Sequence, residues 1–158
     1  MHHTSFNTLD QNTDILLTGV PDQIFILKDG SYFIFDYKTS RYTEAQDSLL
    51  PLYIVQLNAY AYIAERTGFS PVKRIALAYM EPQTALTQEN VEKVRIQQGF
   101  FMPFSGKILQ LKLNLDMIPE FLRKVRNLYD HPSPPQGKEE CKDCLLLDNL
   151  IEMLSLNK

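Results

Sequence analysis

Apolar residues between positions 14 and 38 gather into three short runs, ILLTG, QIFIL and SYFIFDYK, rich in Ile, Phe and Tyr and separated by turn residues. Runs of this length and composition predict strands, and their succession predicts a β-meander. The two runs flanking Lys28-Asp29-Gly30 are apolar at successive positions, so both of their faces are expected to be covered, as in the middle of a sheet. Past Lys38 and the polar stretch TSRYTEAQD the period lengthens. Leu52, Val55, Ala59 and Tyr62 recur at helical spacing over about 49–66, and Gly68 follows, which predicts a helix closed by a C-terminal glycine. VKRIALAYME predicts another strand, and GKILQLKLNL, carrying Ile108, Leu109, Leu111, Leu113 and Leu115, one more. DMIPEFLRKVRNLYDH predicts an amphipathic helix with Pro119 near its first turn, where a missing N–H is harmless. The opening MHHTSFNTLDQN has no period and predicts only a polar arm. PSPPQGKEE has the composition of a linker, and CKDCLLLDNLIEMLSLNK predicts a short helix whose apolar face packs back on the domain.

The order strands, helix, strand, strand, helix predicts an α/β (α+β) fold in which a central mixed sheet is flanked by helices. At 158 residues the chain is long enough for one domain with a real core. The expected division is a core over 1–131, with a short N-terminal arm, and a linker with the cysteine-bearing helix over 132–158. Usage of 44% apolar and 22% charged residues excludes disorder and fibrous repeats. No apolar run approaches the ~18 residues of a membrane span, and the N-terminus lacks the apolar stretch of a signal peptide, so a cytoplasmic location away from membranes is expected. The formal charge of −3 gives no overall attraction to nucleic acid. It does not exclude nucleic acid either, since an acidic cation site is negative by itself and basic residues can gather on one rim. Arg123, Lys124 and Arg126 read as a solvated helix face.

The sharpest chemical feature is GVPD followed, across a turn, by FIFDYKTS. Charges inside an aromatic, apolar strand are expensive unless paired or liganded, which sets Asp22, Asp36 and Lys38 apart. The turn decides how they meet. A three-residue loop at Lys28-Asp29-Gly30, with Gly30 left-handed, pairs Leu27 with Ser31 and sets Asp22 opposite Asp36, with Lys38 on the same face. A two-residue turn at Asp29-Gly30 shifts the register by one and sends Asp22 to the other face. In the first case two facing carboxylates repel and call for a cation between them. Hard oxygen ligands on a rigid sheet suit Mg²⁺ or Mn²⁺, and such an ion beside a lysine suits hydrolysis of a phosphodiester.

Together, GVPD, FIFDYKTS and QLNAYAYI resemble the RecB-type branch of the PD-(D/E)xK nucleases, over residues 19 to about 64, roughly a third of the chain. D-x-K alone is a weak signal; the three segments in this order are specific. The resemblance implies a restriction-endonuclease-like core that cleaves DNA with Mg²⁺ or Mn²⁺. It implies Asp22 and Asp36 as metal ligands, with the backbone carbonyl of Tyr37 as a further one. Lys38 becomes the catalytic lysine, and Gln56 and Tyr60, the Q-x-x-x-Y pair, support the site or the substrate. An exonuclease-type deoxyribonuclease acting in DNA repair, with DNA and a larger nuclease or helicase assembly as partners, follows by the same resemblance. Tyr53, on the same helix face, reads as packing.

The chain departs from the branch in two places. Relatives with an iron–sulfur centre use four thiolates, whereas this chain has two cysteines, so no such cluster is expected. Zinc at Cys141 and Cys144 would need two more ligands, and His131 is the one histidine nearby, so the pair reads as an apolar packing pair. RecB-type domains also carry a helix before the first motif, where this chain has a polar arm. This raises the alternative of a fragmentary or catalytically impaired nuclease-fold domain that binds DNA or a partner protein.

Overall fold

A computed structural model of the chain describes residues 6–43, 48–85, 87, 91, 92 and 94–155; His2, His3 and part of TSRYTEAQD lie outside them. The elements are β1 (Asn7–Asp10), β2 (Ile15–Thr18), β3 (Gln23–Ile26), β4 (Tyr32–Lys38), α1 (Leu50–Arg66), β5 (Val72–Pro82), β6 (Arg95–Ile96), β7 (Gly99–Phe100), β8 (Phe104–Leu111), α2 (Met117–Tyr129) and α3 (Lys142–Ser155). Four of the strands form a sheet in the order β3-β4-β5-β8. The β4–β5 pair is parallel and the other two pairs are antiparallel, so the sheet is mixed, as expected.

Two expectations near the N-terminus need correction. Part of the supposed arm is strand β1, and β2 pairs with it, from Asn7↔Thr18 to Asp10↔Ile15, instead of continuing a meander into β3. The polar sequence hides the strand because its stabilisation is not periodic. The buried Asp10 carboxylate closes the connecting turn by accepting from Thr13 N–H (3.0 Å) and Thr13 Oγ1 (2.6 Å), the usual service of an Asp side chain in a turn. Just ahead of β1, Phe6 is buried among core residues.

The α1 helix covers one face of the sheet. Its Leu57, Ala61, Ile63 and Ala64 pack with Ile34 of β4 and with Ile75, Leu77 and Tyr79 of β5. By strand alternation Phe33, Phe35, Ala76 and Ala78 belong to the opposite face, where they form their own cluster. Ile118 and Leu122 of α2 pack with Tyr62 of α1 and with Ile15 and Leu17 of β2. The strand predicted to run on to Leu115 ends at Leu111. Beyond it the chain is fastened to α1 by Asn58, which is fully buried: its Oδ1 accepts from Asn114 N–H (2.6 Å) and its Nδ2 donates to the carbonyls of Ile54 (2.9 Å) and Lys112 (3.3 Å).

By compactness the chain divides into Met1–Arg123 and Lys124–Lys158. Within the second unit Arg126 bridges Asp130 one turn on, at 2.8 Å, the solvated use expected of that basic cluster. No described helix is long and apolar enough to cross a membrane.

Candidate active site

The loop between β3 and β4 takes the three-residue form. Leu27 N–H donates to Ser31 O (2.7 Å), Gly30 N–H donates back to Leu27 O (2.9 Å), and Gly30 has φ +81°, a conformation in which a Cβ is strained. Asp29 fixes the loop by accepting from Ser31 N–H (3.1 Å), Ser31 Oγ (2.5 Å) and Lys73 Nζ (2.8 Å). The Lys73 ammonium first, and the Ser31 donors after it, hold this carboxyl well below the usual carboxylate range. The ladder then runs from Ile26↔Tyr32 to Gln23↔Phe35. Asp22 and Asp36 are the residues that come next on the two sides of this last pair.

Pro21 has no N–H to offer the ladder, so pairing stops there. Asp22 takes over with its side chain, Oδ2 accepting from Tyr37 N–H at 2.7 Å. The N–H and C=O of a strand residue point to the same edge, so the Tyr37 carbonyl is directed to the Asp22 side. The Tyr37 ring stands on the opposite face, against Phe35 with centroids 5.3 Å apart.

Asp36, Lys38, Gln56 and Tyr60 are brought together. Asp36 is 3% exposed, and Lys38 Nζ lies 2.6 Å from its Oδ2. This ammonium is the charge set against that buried oxygen, for which no well-aligned hydrogen bond is found among the described residues. The same ammonium approaches Gln56 Oε1 (3.4 Å), and Gln56 Nε2 donates to Tyr60 Oη (2.8 Å). It also lies 4.3 Å from the centroid of the Tyr53 ring, a cation–π distance. Tyr53 thus packs, as its spacing predicts, and also cradles the lysine. Tyr53, Gln56 and Tyr60 occupy one stripe of α1.

Gly19 was not singled out by its chemistry, yet it makes room for this stripe. A Cβ there would lie 2.5 Å from Tyr60 Cε1 and 2.7 Å from Cδ1. Phe6 meets the same ring edge-on, with centroids 6.4 Å apart. Ile24 and Ile34 lie in the core beneath the site. Ile26 shares their alternation but is 72% exposed, because it sits at the loop end of an edge strand.

No described contact joins the carboxylates of Asp22 and Asp36 directly; Asp22 enters the cluster through the Tyr37 amide. Among the described residues no three His, Cys, Asp or Glu side chains converge on a cation site. The set that the resemblance implies, two carboxylates and a carbonyl, is one that suits a hard cation keeping several waters. The buried Asp36 Oδ2, which has no well-aligned hydrogen bond among the described residues, fits that use. Cys141 and Cys144 are free thiols at the head of α3, and hydrogen bonds from Cys144 and Asp143 hold the Cys141 thiol below its ordinary value.

Comparison with protein families gives a match over residues 2–148 to the model described as the PD-(D/E)XK nuclease superfamily. No curated protein and no solved structure gives a significant match.

Proposed function

Because this chain belongs to the PD-(D/E)XK nuclease superfamily, we propose that it hydrolyses DNA phosphodiesters at the Asp36–Lys38 cluster with Mg²⁺ or Mn²⁺, in the manner of the RecB-type branch. The observation that carries this reading is the buried Asp36 carboxylate with the Lys38 ammonium 2.6 Å from its Oδ2 and no well-aligned hydrogen bond to that oxygen among the described residues. Burying a carboxylate with its ammonium partner is costly, and a cation site beside a working lysine would explain why the pair is kept. Asp22, Asp36 and the Tyr37 carbonyl would hold the ion. When bound, it would supply Lewis-acid polarisation of the phosphodiester and a more acidic water.

The chain's own residues do the rest. Lys38, steadied by Asp36, Gln56 and Tyr53, offers N–H donors to the phosphate oxygens on which charge develops as water attacks phosphorus and the ester bond to the leaving oxygen breaks. Tyr60 fixes the Gln56 amide, and the amide limits the arc over which the ammonium swings. Such preorganisation raises the rate because the donors need not reorganise during the step. An exonuclease acting in DNA repair, within a larger nuclease or helicase assembly in the cytoplasm, is the setting that the RecB-type motifs favour. The residues 1–131 would form the catalytic core and 132–158 an appended linker and helix.

The test is cleavage of linear single- and double-stranded DNA with Mg²⁺ or Mn²⁺. Cleavage abolished by EDTA and by Asp36→Asn is expected. Cleavage that survives either treatment overturns the mechanism, and a chain that binds DNA and metal without cutting is the impaired binding module instead.

A further inference from the structure

By sequence Cys141 and Cys144 read as an apolar packing pair, but the structure places them differently. Both are half-buried free thiols, and neither enters a hydrophobic cluster of the described core. The chain turns into α3 at Glu140, which has φ +60°, and Cys141 N–H closes that turn on Lys138 O at 3.0 Å. Cys141 O then accepts from Leu145 N–H at 3.0 Å, the first bond of the helix, so Cys141 is its N-cap. Counting from Lys142, Cys144 is the third helical residue. Asp143 and Cys144 therefore bring two of the helix's terminal N–H groups to the Cys141 side chain, and both bond its sulfur, as does the Cys144 thiol itself.

The spacing suits a bond between the two sulfurs. Residues three apart at helical spacing have Cα atoms about 5 Å from each other, inside the roughly 4.4–6.8 Å range of disulfides. Gly137 lets the linker backbone lie close over Cys144, since a Cβ there would come within 2.9 Å of Cys144 Cβ. Both cysteines also line a recess of about 270 Å³ together with Gly137 and Leu145, room for an incoming sulfur compound. The donors on Cys141 favour its thiolate, the form that attacks sulfur. A metal site asks for more ligands than the pair supplies. Among the described residues no three His, Cys, Asp or Glu side chains converge, and His131 Nδ1 is engaged by Ser133. Dithiol chemistry needs only the two sulfurs.

We propose that Cys141 and Cys144 are a reversible redox pair, oxidised by a low-molecular-weight disulfide and reduced again by thiols. The Cys141 thiolate attacks one sulfur of the small disulfide, forms a mixed disulfide and releases the first thiol. Cys144, giving up its proton, then attacks Cys141 Sγ, closes the protein disulfide and releases the second. The pair loses two electrons and two protons, and the small disulfide gains them as two thiols. The new bond ties the N-cap of α3 to its first turn.

In the test, the reduced full chain is incubated with oxidised glutathione at set ratios to reduced glutathione, quenched by alkylation and weighed by mass spectrometry. Cleavage of nucleic acid is not read, so the outcome is independent of the nuclease reading. The native chain should lose two hydrogens as a monomer that retains no glutathione, and dithiothreitol should restore it. Cys144→Ser should stop at one glutathione on Cys141, and Cys141→Ser should react several-fold more slowly. The native-chain measurement decides the matter even where a variant fails to fold. A native chain that stays fully alkylatable in excess oxidised glutathione overturns the proposal and leaves the packing pair. One that ends as glutathione adducts or linked dimers overturns it as well. A chain that carries zinc and reacts only after chelation overturns it in favour of a metal clamp between two copies.

Discussion

Replacing Lys38 by alanine in the absence of metal tests the arrangement at its most exposed point. Asp36 keeps 5% of its side-chain surface accessible and Lys38 keeps 18%, with 2.6 Å between Nζ and Oδ2. Breaking a buried pair by removing one partner costs about 3–5 kcal/mol, because the remaining charge is stranded. The partial exposure of Lys38 lets water into the vacated space, which puts the expected loss near the lower end, about 3 kcal/mol. For a chain of this size that is roughly 6–12 °C in melting temperature. Asp36→Asn should cost less, since a freed lysine can extend its head to water. The double variant should recover part of the loss, with a coupling of about 1–3 kcal/mol. The assay is a set of four thermal melts in EDTA, repeated with Mg²⁺. Saturating metal at about 100 times Kd adds about 2.7 kcal/mol. The gain should be larger in Lys38→Ala, where no ammonium competes for Oδ2, and absent when Asp36 is Asn. A Lys38→Ala protein melting within about 2 °C of the native chain in EDTA, with no coupling to Asp36→Asn, would refute the buried pair and the cation site inferred from it.

Three further outcomes are expected. Gly19→Ala should drive its new methyl into the Tyr60 ring, break the 2.8 Å bond to Gln56 and cost about 1–3 kcal/mol of stability; melts and kcat should fall together, and full activity would show Tyr60 to be dispensable. Tyr53→Phe keeps the aromatic face beneath Lys38 and should behave like the native chain, whereas Tyr53→Leu removes a cation–π contact of about 0.5–2 kcal/mol and should lower kcat more than it raises KM. Asp29 titrates lower in the folded chain than its ordinary value of 3.8, so its contribution to stability is complete above that value and is lost as pH falls further. Melting temperatures of Asp29→Asn and the native chain should therefore converge below about pH 4, and a constant gap throughout the acid range would contradict the Lys73 and Ser31 contacts.

The register of the site was legible only as a pair of alternatives, because Gly30 suits a two-residue turn at Asp29-Gly30 as well as the three-residue loop. The structure takes the three-residue form, with Leu27 N–H on Ser31 O and Asp29 accepting from Ser31, and the pairs up to Gln23↔Phe35 follow by counting. Helix α1 was fully legible, since period and terminal glycine agree. What escaped has long-range causes. Strand β1 lacks alternation and depends on Asp10 closing its turn and on Phe6 entering the core. Strand β8 stops early because Asn58, fifty-six positions before Asn114, captures the chain with its side chain. Gly19 leaves no trace of its purpose in the local pattern, as the ring it accommodates belongs to α1.

The Asp36–Lys38 cluster and the core are built from the same two elements, and this explains how a buried charge is tolerated. On β4, Ile34 is packed in the core and Asp36, two residues on, faces the same side. On α1, Leu57, Ala61 and Ala64 lie in the core, while Tyr53, Gln56 and Tyr60 reach Lys38 or one another from the adjoining stripe. The core fixes the strand against the helix, so the Asp36 carboxylate, paired with Lys38, has no way to move out to water. A weakened core should let it do so. Leu57→Ala, expected to cost about 2–5 kcal/mol, should therefore lower cleavage even under conditions where the protein is still folded, whereas an equally destabilising change in the β1–β2 hairpin should not.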